Sequence, residues 1–147
     1  MTQYVNEQAY GPQAENLGKF VKRKDVEHIL SQTPPREVTE DFDKPDEIEY
    51  YIHRLGNMTM LEEPLNRSAG NKPYEQKKKY FEKSQFLLTN SIAANPRVGG
   101  NTAINRAIEG LITFDEWTSE SIERRQEMLT DLAKRAWDMP ESDEKEG

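Results

Sequence analysis

The 147-residue sequence contains no cysteine. This absence excludes disulfides, zinc knuckles, iron–sulfur clusters and thiol nucleophiles, and it is typical of a reducing compartment. No apolar run reaches the roughly 20 residues needed to cross a bilayer. The start, MTQYVNEQAYGPQAENLG, lacks the basic end and apolar middle of a signal peptide. We therefore expect a cytoplasmic protein.

Hydrophobic residues are also scarce, at 34% of the chain against 32% charged residues. A chain of this length is typical of one domain with a single modest core. Its polar ends lack usable periodicity, which predicts a flexible arm over residues 1–18 and a disordered acidic tail over residues 138–147. The domain itself would span residues 19–137.

Hydrophobic spacing predicts the elements of the first half of the domain. An extended segment should end just after His28, followed by an acidic, proline-rich loop over residues 33–47. A helix over residues 46–55 should stop at Gly56 and lead into a brief strand in NMTML.

The second half is predicted to be helical. The turn-forming residues Asn, Ser and Gly in NRSAGNK predict a loop or turn. A basic helix should follow, starting at Pro73 and running to about Ser84. Helices are then expected in QFLLTNSIA and NTAINRAIEGLI, and a long one from about Ser119 to Trp137. Trp117 and Trp137 are both predicted to lie in the core.

A net charge of −7 argues at first against a nucleic-acid partner. The charge is unevenly distributed, however, because residues 64–84 hold six basic and two acidic side chains. This segment could meet a polyanion through Arg67, Lys72, Lys77, Lys78 and Lys79. The lysine run could equally be a solvated helix face.

A small set of polar residues could carry chemistry: Glu27-His28, Asn57 and Asn66. A neutral imidazole with a pKa near 6.5 can accept a proton from water at neutral pH. The side-chain oxygens of Glu27 and Asn66 are of the type that Mg²⁺ prefers. A metal there could polarise a phosphodiester and stabilise the departing oxygen.

Each of these residues also has a purely structural explanation. His28 could be a satisfied histidine at a strand end, and Glu27 an exposed residue in strand alternation. Asn57 suits the turn after a helix, and Asn66 could only cap the next turn. The other histidine, His53, would be structural or would face a phosphate.

The order of these residues resembles the HNH nucleases of the His-Me finger superfamily. The strings VEHILSQ, YIHRLGNMTMLEEPLNRSAGNKPYEQKKKYFEKS and WTSESIERRQEMLTDLAKRAW are more narrowly similar to the C-terminal HNH domain of GmrSD-type modification-dependent restriction enzymes. The similarity covers roughly residues 20–137. It implies an α+β fold, mostly helical, with a ββα-metal core at about 25–83 and a supporting helical bundle at 84–137.

The resemblance also implies roles for individual residues. His28 would be the general base, and Glu27 and Asn66 would be the metal ligands. Asn57 would be the middle residue of the HNH triplet, which orients the base or braces the nearby loop. Asn71 and Lys72 match a polar and basic pair near a substrate phosphate. One position departs from the family, which usually has proline where this chain has Ser31.

By this resemblance the protein would be a metal-dependent DNA endonuclease of a prokaryotic restriction or anti-phage defence system. Its metal would be Mg²⁺, with Mn²⁺ able to substitute and zinc not used. A separate N-terminal ParB-like domain or partner subunit would supply specificity, since no base-reading helix or GxxxxGK[ST] motif is present here. The alternatives are a catalytically silent helical module that binds DNA or a protein, and a phosphate-binding enzyme acting on nucleotides or RNA.

Overall fold

The computed structural model describes residues 1–10, 23–94, 106–107 and 109–138 of the chain. These residues are mostly helical with a small antiparallel sheet, which confirms the predicted α+β class. In chain order the elements are α1 (Thr2–Tyr10), β1 (Lys24–His28), α2 (Arg36–Asp41), a first 3₁₀ turn (Pro45–Glu47), α3 (Ile48–Ile52), a second 3₁₀ turn (Leu55–Asn57), β2 (Met58–Glu62), α4 (Glu63–Ala69), α5 (Tyr74–Phe81), α6 (Leu87–Ala93) and α7 (Ser119–Asp138).

The two strands form an antiparallel pair, with Glu27 opposite Thr59 and His28 opposite Met58. Both strands are confirmed where the sequence predicts them. Side chains alternate between the two faces of a strand, so Glu27 and His28 project to opposite faces. Glu27 is only 5% exposed, whereas Val26, which shares a face with His28, is 53% exposed. His28 therefore lies on the open side of the sheet and Glu27 on the covered side.

Helix α4 occupies the segment for which the sequence predicts a loop or turn. It carries Pro64 in its first turn and ends at Gly70, whose φ is 51°. Proline is tolerated in a first turn, and glycine accepts a positive φ without strain. The prediction is wrong because Asn66 and Ser68 look like punctuation but fit a seven-residue helix packed against both strands.

The proline-rich segment 33–47 also contains more structure than the predicted loop. Helix α2 and the first 3₁₀ turn lie within it, and neither contains a buried residue. Pro45 occupies the first turn of the 3₁₀ element. The acidic composition of this segment is therefore compatible with short, exposed helices.

Helix α1 corrects the prediction of a flexible arm over residues 1–18. Val5 and Ala9 are buried in a cluster with residues of α6 and α7. The Asn6 side chain hydrogen-bonds to the backbone at the start of α6. Only these two side chains, four residues apart, are apolar and buried, and Met1, Tyr4 and Tyr10 pack against the cluster while partly exposed, so the polar composition of the segment does not reveal the packing. Residues 11–18 lie outside the described residues.

Helix α7 confirms the predicted long C-terminal helix. It begins with reciprocal hydrogen bonds between Thr118 and Ser121, of 3.1 and 3.2 Å from amide nitrogen to hydroxyl oxygen. Trp137 is 67% exposed, so its predicted place in the core is wrong. Trp117, just before the helix, is partly buried against two core clusters.

Two further predictions involve residues that the structure does not describe. Helix α6 confirms the helix in QFLLTNSIA, but half of NTAINRAIEGLI falls outside the described residues, as does the tail 139–147. In the part of the chain that is described, no helix is long and apolar enough to cross a membrane.

Candidate active site

His28 is the last residue of β1 and is half-buried. Burial lowers its pKa, because the charged imidazole is less well solvated there, and the nearby charges of His53 and Lys77 lower it further. The imidazole is therefore neutral at neutral pH, which is the form that accepts a proton. His53 itself is exposed, and its Nε2 lies 3.6 Å from a carboxylate oxygen of Glu49.

Glu27, the neighbour of His28, lies in the interior and pairs with a buried lysine. The Lys77 ammonium lies 2.5 Å from Glu27 Oε1 and is itself fully buried. It also donates to the carbonyl oxygens of His28 at 2.9 Å and Ile29 at 3.2 Å. Burial raises the pKa of Glu27 and lowers the pKa of Lys77, and their mutual attraction opposes both shifts.

Asn57 fixes the strand-end segment, residues 28–31, from the other side. Its Oδ1 accepts hydrogen bonds from the Leu30 amide at 2.7 Å and from Trp117 Nε1 at 2.9 Å. Its Nδ2 donates to the carbonyls of Leu30 and Ile52. The side chain is fully buried and all its polar capacity is used, so Asn57 braces the segment that follows His28 and does not contact solvent.

Helix α7 holds the start of β2 through Arg125, a residue that the sequence did not single out. Arg125 is fully buried, and its Nη1 donates to the carbonyls of Gly56 at 3.0 Å and Met58 at 2.6 Å. A Cβ on Gly56 would collide with the carbonyl oxygen of Ile122, so the helix approaches this turn closely only because residue 56 is glycine.

Asn66 lies on α4, with its Nδ2 3.3 Å from Asp25 Oδ2. By strand alternation Asp25 shares a face with Glu27, so Asn66 and both carboxylates belong to the covered side of the sheet. Among the described residues, no hydrogen bond is donated to Glu27 Oε2 or Asn66 Oδ1. Asp25 was missed, although its spacing of two from Glu27 is a signal for a shared face.

These oxygen donors fit a hard divalent cation. The described residues contain no cluster of three His, Cys, Asp or Glu side chains that could enclose a metal ion. Mg²⁺ does not need such an enclosure, since it keeps several waters and binds one or two protein oxygens. Glu27 and Asn66 are therefore the residues that could hold it, with Asp25 orienting the Asn66 amide.

Comparison with protein families shows which family the chain belongs to. The family described as GmrSD restriction endonucleases, C-terminal domain, matches residues 2–132. The chain belongs to this family. It is thus a nuclease module of the restriction-enzyme type. Comparison with curated proteins and with solved structures gave no match.

Relative to the usual GmrSD-type sequence, the departure at Ser31 adds a contact. The buried Ser31 hydroxyl donates to Asn71 Oδ1 at 2.5 Å, which links the strand-end segment to the residue before Lys72. Proline has no side-chain donor and could not make this bond. Asn71 is held by this contact at the entry to α5.

The predicted phosphate-binding residues do not all lie on one surface. Arg67 and Lys79 are exposed, Lys72 is exposed beside the ring of Tyr80, and Lys78 is half-buried. Lys77 is instead in the core, because its ammonium is directed to Glu27. The basic face of this GmrSD-type domain, defined here as Arg67, Lys72, Lys78 and Lys79, does not include Lys77.

Proposed function

We propose that this chain is a metal-dependent DNA endonuclease of the HNH type, the cleavage module of a prokaryotic restriction or defence system. One observation carries the proposal. A half-buried histidine with a lowered pKa ends a strand whose preceding residue is a carboxylate, and the segment that follows is fixed by Asn57. A general base needs a neutral imidazole and a backbone held in place, and Glu27 carries its carboxylate on the opposite, covered face of the same strand.

Each residue would perform a distinct part of phosphodiester hydrolysis. His28 would accept the proton of the attacking water at an imidazole nitrogen, and Asn57 would keep the backbone after His28 in place. Glu27 and Asn66 would hold one Mg²⁺, for which Mn²⁺ could substitute. When bound, the cation would stabilise negative charge on the phosphate and on the leaving oxygen.

DNA would approach along the basic face. Lys79 and Arg67 project into solvent, and an exposed cation can release counterions from a phosphate backbone. Sequence or modification specificity would come from a ParB-like domain or partner subunit, because backbone contacts carry no sequence information. We place this activity in the cytoplasm, because a chain without cysteine has no disulfide that would require an oxidising compartment.

The experiment that tests the proposal is a plasmid-nicking assay with Mg²⁺ or Mn²⁺, compared with EDTA. We expect nicked or linear plasmid only with metal. His28→Ala should reduce the rate by about 10² to 10⁴ because a general base contributes that much. His53→Ala, which changes the exposed histidine, is the matched control. Cleavage by His28→Ala at the parental rate would refute the role of His28, and no cleavage by the parent would favour the silent binding module.

Asn66→Ala tests the metal site separately. This substitution removes one oxygen ligand, so the variant should need more Mg²⁺ or Mn²⁺, and a high concentration should restore part of the rate. His28→Ala should not be restored in this way. Equal recovery of both variants would show that the proposed division between base and ligand is wrong.

A further inference from the structure

Lys77 uses its whole hydrogen-bonding capacity on the residues around His28. An ammonium group has three N–H donors, and Lys77 directs them to Glu27 Oε1, the His28 carbonyl and the Ile29 carbonyl. The side chain is fully buried, and its ammonium on α5 contacts the Glu27 carboxylate on the covered side of the sheet. No donor is left for solvent or for a phosphate.

A buried lysine at this place needs an explanation beyond stability. Removing charges from water is costly, and replacing a whole buried ion pair by apolar side chains of similar volume is often neutral or stabilising. What the Lys77 ammonium adds here is a fixed orientation of the groups that it contacts. It fixes one carboxylate oxygen of Glu27, and it fixes the carbonyls of two consecutive peptides, those of His28 and Ile29.

The contacts of Lys77 and Asn57 are complementary. Lys77 binds the carbonyls of His28 and Ile29, whereas Asn57 binds the amide and the carbonyl of Leu30. Three consecutive residues of the strand-end segment are thus held by two side chains from different elements. A shift of about 1 Å at such a site can cost two orders of magnitude in rate.

We propose that Lys77 is a positioning residue of the active site, which holds the Glu27 carboxylate and the His28 backbone in their working orientation. The inference rests on the proposed function, because it assigns Lys77 to the same base and ligand. Lys77 would leave Glu27 Oε2 directed away from the ion pair, as the oxygen available to a cation. It would act through Glu27 and His28, without touching DNA.

The test uses the full chain with Lys77→Met and the matched control Lys134→Met, which changes an exposed lysine of α7. Three quantities are measured: kcat for plasmid cleavage, Kd for DNA, and Kd for Mn²⁺ by electron paramagnetic resonance without DNA. Loss of an outer-shell partner typically costs about 10- to 100-fold in metal affinity or activity. We expect such losses in kcat and in Mn²⁺ affinity, with an unchanged Kd for DNA.

A second variant keeps the test decisive if Lys77→Met does not fold. Lys77→Gln retains two N–H donors without the charge, and it should lose less of the rate and of the Mn²⁺ affinity. Parental kcat and Mn²⁺ affinity in a folded Lys77 variant would overturn the inference, as would a loss confined to thermal stability or to DNA binding. A parent that neither cleaves DNA nor binds Mn²⁺ would instead refute the proposed function.

Discussion

Two buried cations hold the same end of the two-stranded sheet, and their surroundings differ. Lys77 contacts the end of β1 and has Glu27 as its counter-ion, with all three donors used. Arg125 contacts the start of β2 and has no carboxylate partner, and its Nε and Nη2 have no hydrogen-bond partner among the described residues. Burial lowers the pKa of Arg125 to about 10. The ion pair of Lys77 therefore lies at the strand that carries His28, whereas Arg125, which has no counter-ion, holds α7 to the start of β2.

The difference predicts unequal costs when either cation is removed. Lys77→Met leaves a buried carboxylate without its partner, which should lower the free energy of unfolding by about 3–5 kcal/mol. Arg125→Met leaves only two carbonyls without this donor, at a cost of about 1–3 kcal/mol. Urea denaturation of both variants measures the difference.

A double substitution sharpens this comparison. Glu27→Gln removes the stranded charge, so Lys77→Met combined with Glu27→Gln should be more stable than the sum of the two single effects predicts. No such coupling is expected between Glu27→Gln and Arg125→Met. Equal coupling in the two pairs would show that the Lys77–Glu27 ion pair is not what distinguishes the two cations.

Asn57 holds the same end of the sheet as Lys77 and Arg125, and its substitution is the next test of stability. Asn57→Ala strands the Leu30 amide and the Trp117 indole N–H inside the protein, along with two carbonyls. We expect a loss of about 2–6 kcal/mol in unfolding free energy, since each of the two N–H donors left unpaired costs about 1–3 kcal/mol. The matched control Asn66→Ala removes a single exposed hydrogen bond and should change stability by less than about 0.5 kcal/mol. Similar losses in the two variants would contradict the bracing role.

The sequence predicted the strands and α7 from a hydrophobic periodicity that the fold retains, and it predicted α5 from the proline before its first residue. The spacing of His28, Asn57 and Asn66 also predicted a candidate site, and the structure places Asn57 against the segment that follows His28. The roles of the three residues stay predictions. The burial of Lys77 and Arg125 could not be predicted in the same way. Lys77 lies in a run of three lysines that is typical of a solvated face, and the contact that buries it joins residues 50 positions apart. Arg125 follows another arginine in a polar stretch, and only the close approach at Gly56 brings it inside.

Tyr74, which is close enough to feel the charge of Arg125, provides a test with a smaller expected effect. Its hydroxyl donates to the carbonyls of Phe114 at 2.6 Å and Ile92 at 3.2 Å, and burial raises its pKa above the usual value of 10. The folded protein keeps this proton above pH 10 while the unfolded chain loses it, so the free energy of unfolding falls as the pH rises past about 10. Below pH 10 the contribution of Tyr74 is fully present.

Tyr74→Phe should therefore cost about 1–2 kcal/mol at neutral pH, because it leaves the buried Phe114 carbonyl without its side-chain donor, whereas the Ile92 carbonyl keeps the bond from the Phe114 amide. It should also flatten the decline in stability above pH 10. Tyr80→Phe, on the same helix with a partly exposed ring, is the control and should leave both quantities near the parental values. An unchanged alkaline decline in Tyr74→Phe would show that other groups cause it.

The smallest effect is expected at Lys78 and Lys79, which follow Lys77 on the same helix but do not enter the core. The Lys78 ammonium lies 3.1 Å from Glu75, and the Lys79 ammonium lies 5.1 Å from the centre of the Tyr80 ring. Such exposed contacts contribute little to stability, so Lys78→Gln with Lys79→Gln should change it by less than about 0.5 kcal/mol. DNA binding should respond instead.

If these two lysines meet phosphates, their neutralisation should weaken binding to all sequences alike. It should also flatten the slope of log affinity against log salt concentration by up to about 0.9 for each lost phosphate contact. Lys134→Gln with Arg135→Gln removes the same charge from exposed positions of α7 and is the matched control. Binding is measured at several salt concentrations. An equal change in both double variants would mean that net charge alone acts, whereas an unchanged slope would place the DNA surface elsewhere. A loss for one sequence only would mean that α5 reads bases, because phosphate contacts carry no sequence information.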